Sequence, residues 1–222
     1  MPIARILEAE VMDTAADAAD YDAMDFATVN AAFAVDALDT FDESTLTILD
    51  VGTGTARIPI EMAKRSPHLR IIAVDLSAEM LKLARVNVDS AGVSHQVEVQ
   101  LVDAKRMPFP DGTFDAVVSN SIVHHIPDPT TFFHEVRRLV KPHGRIFVRD
   151  LVRSPDRETL DRLVALYAAH DTPHQRQLFA DSLHAALTID EAQAMVAAIG
   201  FDPARVTLTS DRHWTWSAQR DG

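Results

Sequence analysis

Asp50, Gly52 and Gly54 close an apolar run, ILDV at residues 48–51, and a helical pattern, RIPIEMAKR, begins at Arg57. A strand that drives into a glycine turn and opens a helix suits a nucleotide. Glycine lets the backbone approach the ligand, and the helix start offers free N–H groups. A dinucleotide fingerprint, G-x-G-x-x-G, needs a third glycine where Arg57 stands. It would also set the Asp50 carboxylate against a pyrophosphate. The next acid at a strand end is Asp75, in IIAVDL. It falls near the roughly 20-residue spacing at which a carboxylate accepts hydrogen bonds from ribose hydroxyls. Together these residues describe a site for a nucleoside without pyrophosphate, carrying positive charge beside Asp50. S-adenosyl-L-methionine, an adenosine with a sulfonium and an amino acid, has that chemistry.

Alternating elements must position these residues. Residues 1–42 are rich in Ala and Asp and read as one or two helices. TLTILDV, LRIIAVDL, QVEVQLVDA, TFDAVVSNS and RIFVRDL read as strands one to five. Between them lie helices over ARIPIEMAKRS, with Pro59 in the first turn, AEMLKLARVNVDSA, capped by Ser77 and closed by Gly92, and PTTFFHEVRRLV, which stops at KPHG. Such alternation predicts right-handed βαβ units and an α/β, doubly wound, mostly parallel sheet. Beyond it, RETLDRLVALYAAH reads as a helix and residues 171–187 as an irregular stretch with a second short helix. IDEAQAMVAAI, with a capping box from Thr188 and Glu191, is a further helix. RVTLTS and HWTWSAQ form a β-hairpin.

The chain resembles the class I S-adenosylmethionine-dependent methyltransferases. The residues that carry the likeness are DVGTGTA (50–56), VDLSAEML (74–81), VDAKRMPFPDGTFDAVVSNSIVHHIPDP (102–129) and EVRRLVKPHGRIFVRD (135–150). The cofactor half is similar to that of the ubiquinone and menaquinone biosynthesis methyltransferases. The resemblance implies a Rossmann-like seven-stranded sheet with an antiparallel last strand and an N-terminal helical lid. It implies one domain over residues 1–222: a lid at 1–42, a cofactor-binding core at 43–151, and a substrate-side insertion with a C-terminal hairpin at 152–222. Asp50, Gly52 and Gly54 would lie along the methionine moiety, with Thr53 and Thr55 as hydroxyl donors. Asp75 would hold the ribose, and Leu76 and Met80 would flank the adenine. Asp103 and the Ala104 N–H would meet the adenine edge, and Ser119 and Asn120 would border the methionine end. Ala56 stands where the family's last motif glycine is expected.

Methyl transfer is an in-line displacement at an activated carbon, so the protein's tasks are proximity, alignment and removal of an acceptor proton. His124 and His125, just after strand four, are the expected general-base or substrate-contact residues; packing beneath the cofactor is the competing reading. Tyr21, in YDAMDF at 21–26, Arg149, Asp150, Arg176 and Trp214 are the expected substrate residues. Against these stand sheet packing for Trp214 and a surface ion pair with Asp181 for Arg176. No metal is expected, because neighbouring histidines on an irregular loop rarely converge on one ion.

A net charge of −12 with no run of Lys and Arg disfavours nucleic acid and favours a small-molecule partner. Cysteine is absent, so disulfides, thiolate metal sites and thiol catalysis are excluded. No apolar run reaches the roughly 18 residues that span a bilayer, and the acidic start suits neither a signal nor a transit peptide. The expectation is therefore a cytoplasmic enzyme that does not engage membranes and methylates an O, N or C atom of a small molecule; its oligomeric state is left open. The rival readings are an S-adenosylmethionine-binding subunit or sensor without turnover, and a NAD-dependent oxidoreductase, which Arg57 and Asp50 oppose.

Overall fold

Runs such as Ile48, Leu49 and Val51, or Ala116, Val117 and Val118, are apolar on both sides, as strands covered by helices on both faces must be. The computed structural model describes residues 3–8, 13–24 and 26–222. The sheet contains β1 (Thr47–Val51), β2 (Arg70–Asp75), β3 (Val97–Leu101), β4 (Phe114–Asn120), β5 (Val140–Leu151), β6 (Val206–Leu208) and β7 (His213–Gln219). Its seven strands run in the order β3-β2-β1-β4-β5-β7-β6. β1 to β5 are mutually parallel, and β7 is antiparallel to both β5 and β6. The chain winds outward from β1 to β3, then crosses back to set β4 on the other side of β1. That reversal opens a crevice at the carboxyl ends of β1 and β4, where such sheets take their ligands.

The helices are α1 (Ala15–Asp22), α2 (Ala27–Leu38), α3 (Arg57–Arg65), α4 (Ala78–Ser90), α5 (Thr130–Leu139), α6 (Arg157–Tyr167), α7 (Pro173–Ala185) and α8 (Ile189–Ala198). Alternation along the strands divides the core. Ile48, Ile71, Val118 and Phe147 share one cluster with Phe33 of α2, Met62 of α3 and Leu81 of α4. Leu49, Val74, Val117 and Val148 share the other with Phe132 and Phe133 of α5, Val196 of α8 and both tryptophans of β7.

The structure departs from the sequence expectation in two places. KPHG does not separate helix from strand: β5 starts at Val140, directly after α5, and takes these residues in. Phe114 pairs with Val140, the register shifts, and Ala116 pairs with Arg145, so the segment is an irregularity inside the strand pair. His143 at φ 63° supports the bend, and a Cβ on Gly144 would lie 2.8 Å from the Asp115 carbonyl oxygen. The second departure is α7, a helix of 13 residues where a mostly irregular stretch was expected. Thr172 and Gln175 form a capping box ahead of Pro173 at the first turn. Because this helix buries only Leu183 and Ala185, its sequence carries little apolar periodicity. Within residues 1–42 the described helices are α1 and α2; residues 1, 2, 9–12 and Asp25 lie outside the described residues.

Candidate active site

The glycine turn is held by the backbone of the neighbouring strand. Gly52 N and Thr53 N both donate to Val74 O, at 2.8 and 2.9 Å, which ties the end of β1 to β2. Gly52 sits at φ +77°, and a Cβ there would fall 2.0 Å from Ile122 Cγ2, so only glycine fits beneath that side chain. Gly54 N donates to Asp75 Oδ2 at 2.8 Å, while Asp75 Oδ1 accepts from Ser77 N at 2.9 Å. One carboxylate thus pins the turn after β1 to the turn after β2. Burial pushes its pKa up, against the pull of these N–H groups. Ala56, fully buried, adopts φ 61° where glycine would be free of strain. For an L-residue that left-handed conformation costs about 1–2 kcal/mol.

Asp50 is buried beneath the turn, and its Oδ2 lacks a well-formed hydrogen bond among the described residues. Burial pushes its carboxyl up to about 7; the Thr53 hydroxyl restrains the rise and the Asp75 charge adds to it. Above the turn lies Tyr21 of α1, whose ring would meet a Cβ on Gly54 at 3.6 Å. Burial, reinforced by the charges of Asp75, Asp22 and Asp50, raises the Tyr21 hydroxyl to about 12, so it stays a donor. Arg57 clamps this helix down: its guanidinium meets Asp22 at 3.0 and 2.7 Å, and Asn87 of α4 donates to the same carboxylate at 3.1 Å.

Between these groups opens a cleft. Gly52, Gly54, Asp75, Leu76, Met80, Asp103, Ala104 and Asn120 line it, as does Tyr21. Asp50, Thr53 and Ser119 are not on its surface; Ser119 Oγ donates to Val51 O at 2.8 Å inside the sheet. Asp103 Oδ1 accepts from its neighbour Lys105 through the backbone N–H at 2.8 Å and meets its ammonium at 3.0 Å. Ile122 and Ser121, which sequence reasoning did not select, form the opposite wall. Ser121 sits there at φ 58°, a backbone strain of the kind that gathers at functional sites.

The histidines divide. His125 lines the cleft, whereas His124 is 4% exposed and is not on the cleft surface. His124 Nδ1 lies 2.5 Å from Asp150 Oδ1. The other Asp150 oxygen accepts from Val123 N at 2.6 Å. Burial disfavours charge on both partners, but their attraction outweighs it: Asp150 is held below the usual carboxylate range and His124 above the usual imidazole range. Asp150 is thus turned to His124 and not to the cleft. Arg149 is also turned away. It meets Asp36 at 2.8 Å and Thr215 Oγ1 at 3.0 Å, with its guanidinium over the rings of Phe33 and Phe147.

Arg176 donates to the Ala169 and Asp171 carbonyls, and Asp181 accepts from Gln177 instead of Arg176. Trp214 is fully buried in β7. Of the expected substrate residues, the fold brings Tyr21 alone to the cleft surface. What the sequence reading missed is Glu8, whose Oε1 lies 3.1 Å from His125 Nδ1. An isolated acid far upstream offers no spacing signal.

Residues 49–148, which hold the glycine turn, Asp75, Asp103 and the histidine pair, match the family model described as a methyltransferase domain. Over this stretch the chain is similar to the methyltransferases. It is 27% identical over 164 residues to the ubiquinone/menaquinone biosynthesis C-methyltransferase of Geobacter sulfurreducens, covering 69% of this chain and 64% of that protein. To the ubiquinone biosynthesis O-methyltransferase of Xanthomonas euvesicatoria pv. vesicatoria it is 33% identical over 126 residues, 57% of this chain and 52% of the relative. The chain therefore spans less than two thirds of the length of either relative. A SAM-dependent methyltransferase structure from Aquifex aeolicus superposes with a TM-score of 0.68 at 20% identity, over 93% of this chain and 98% of that one. The chain thus shares its fold across nearly its whole length with a protein of little sequence likeness.

Proposed function

We propose that the chain binds S-adenosyl-L-methionine in this cleft and transfers its methyl group to an O, N or C atom of a small molecule. The observation that carries the reading is the buried Asp50 carboxylate, with an unsatisfied oxygen beneath a glycine turn whose other acid, Asp75, faces the cleft. A buried, uncompensated carboxylate calls for a cationic ligand. The sulfonium and ammonium of the cofactor supply that charge, and a pyrophosphate would oppose it. Asp75 keeps acceptor capacity for the ribose hydroxyls after taking the Gly54 and Ser77 N–H groups. Leu76, Met80 and Ala104 give the adenine an apolar slot, and Asp103 meets its amino edge. Tyr21, held by the Arg57 clamp, covers the methionine end and excludes water.

When bound, the cofactor supplies an activated methyl for in-line displacement; the chain's own residues supply alignment. His125 contacts the acceptor, and His124, fixed by Asp150, supports it from behind. The acidic surface and the small cleft favour a small-molecule acceptor over nucleic acid, and the chain acts as a cytoplasmic enzyme.

Calorimetric titration with S-adenosylmethionine, S-adenosylhomocysteine and NAD, repeated on Asp75→Ala, tests the reading. Both adenosyl ligands should bind. The variant should weaken them about 10- to 100-fold, the loss of one or two hydrogen bonds to a charged group. Tight binding of NAD alone would overturn the reading. Turnover of a labelled methyl group with candidate acceptors then separates an enzyme from a binding subunit.

A further inference from the structure

We infer that Glu8, His124 and His125 form a site for a borderline divalent cation of the zinc type, at the wall of the cleft. Glu8 Oε1 lies 3.1 Å from His125 Nδ1 and 3.5 Å from His124 Nε2, and these ligand atoms all fall within 4.8 Å of one another. Ligands of a tetrahedral zinc with bonds of about 2.0–2.2 Å stand about 3.3 Å apart, a spacing these distances bracket. The sequence reading expected no metal, because adjacent histidines usually diverge. Here a 3₁₀ turn over Val123–His125 brings the two rings to 4.3 Å between centroids, tilted by 35°.

The surroundings match what a metal site needs behind its ligands. Asp150 at 2.5 Å engages His124 Nδ1 and turns Nε2 toward Glu8, the arrangement of an acid–histidine–metal relay. Asp150 itself is fixed by the N–H groups of Val123 and Leu151, at 2.6 and 2.7 Å. Ser182 Oγ donates to Glu8 Oε2 at 3.1 Å, while the buried Oε1 makes no well-formed hydrogen bond among the described residues. Arg5 anchors the strand of chain that carries Glu8 by donating to the carbonyls of Ala185, Pro127 and Ile126 at 2.7, 3.0 and 3.0 Å. Two imidazoles and one carboxylate suit zinc and its neighbours; magnesium and calcium prefer oxygen alone. Three protein ligands leave a coordination position open, and His125 sets it toward the cleft, where water or a donor atom of the acceptor can enter.

The test needs no cofactor and no turnover. Tag-free protein, stripped with a chelator, is titrated with Co²⁺ while the visible absorption of tetrahedral cobalt is followed, then competed with Zn²⁺ and separately with Mg²⁺. One equivalent of Co²⁺ should give that spectrum, Zn²⁺ should abolish it and Mg²⁺ should leave it. Glu8→Gln and His125→Gln should each weaken binding about 100-fold or more, and Asp150→Asn about 10- to 100-fold. Circular dichroism and melting establish that each variant is folded; His125, partly exposed, is the substitution least coupled to folding. Absence of binding in folded wild-type protein would overturn the inference and leave the cluster holding a proton between its acids. Equal binding in wild type and His125→Gln would also overturn it. Asp75→Ala should keep the metal spectrum, so failure of the cofactor reading and failure of this one are told apart.

Discussion

Asp50 illustrates how a single buried acid ties affinity to pH. Its carboxyl stands at about 7 because burial, with Asp75 nearby, disfavours its charge. A cationic ligand needs the ionised form, so below that pKa each binding event must expel a proton. The sign follows: affinity for S-adenosylmethionine should fall as pH drops below about 7, roughly tenfold per unit, and level off above it. Calorimetry between about pH 5.5 and 8 checks this, and Asp50→Asn should give weaker binding with the slope removed. A flat wild-type profile would remove Asp50 from the ligand's charge balance. The Tyr21 hydroxyl, at about 12, adds no break over that range.

At the scale of elements, Arg57 acquires its meaning from α1. It stands where a dinucleotide-binding turn needs glycine, and in the fold it reaches across to Asp22. Burial raises the Asp22 carboxyl, but hydrogen bonds from Arg57 and Asn87 and the Arg57 charge bring it below its ordinary value. With the arginine side chain 48% exposed, the pair contributes at most about 1 kcal/mol to global stability. Its larger effect is on the lid. Arg57→Gln should leave the melting temperature within a few degrees, yet speed amide exchange across α1 and weaken S-adenosylmethionine several-fold. Hydrogen exchange with and without ligand reads this. Unchanged exchange in α1 would mean that Tyr21 is placed by other contacts.

For the whole molecule, the C-terminal third is bound into the core by aromatic packing. Trp216 of β7 is fully buried, with ring centroids 5.7 Å from Phe133 of α5 and 5.2 Å from Phe201 beyond α8. Strand β7 also hydrogen-bonds along β5, so the hairpin is part of the main sheet. Trp216→Ala should therefore destabilise the whole chain by about 3–5 kcal/mol in one cooperative unfolding transition, seen by calorimetry or denaturant titration. Trp216→Phe should cost less, because it keeps an aromatic ring and removes an indole N–H that lacks a well-formed hydrogen bond among the described residues. A second, separate transition would show that residues 152–222 fold on their own.

Local chemistry was legible in the residues themselves. The alternation of apolar strands with capped helices, the glycine turn after Asp50, the acid at the end of β2 and the capping box at Thr188 each depend on neighbours close in the chain. Short-range periodicity and capping determine such features, so the sheet and most of the cleft could be read directly. The pairings that complete the cleft depend on residues far apart. Glu8 meets His125, Asp150 turns inward to His124, Arg149 is spent on Asp36, and Ile122 closes over Gly52. None of these has a spacing, because each arises only when helices and strands pack and side chains from distant elements meet. Sequence by itself singled out the turn proposed to hold a nucleotide and the acid that favours a cationic ligand there. Tertiary structure alone decided which histidine reaches the cleft and which acids stand behind it.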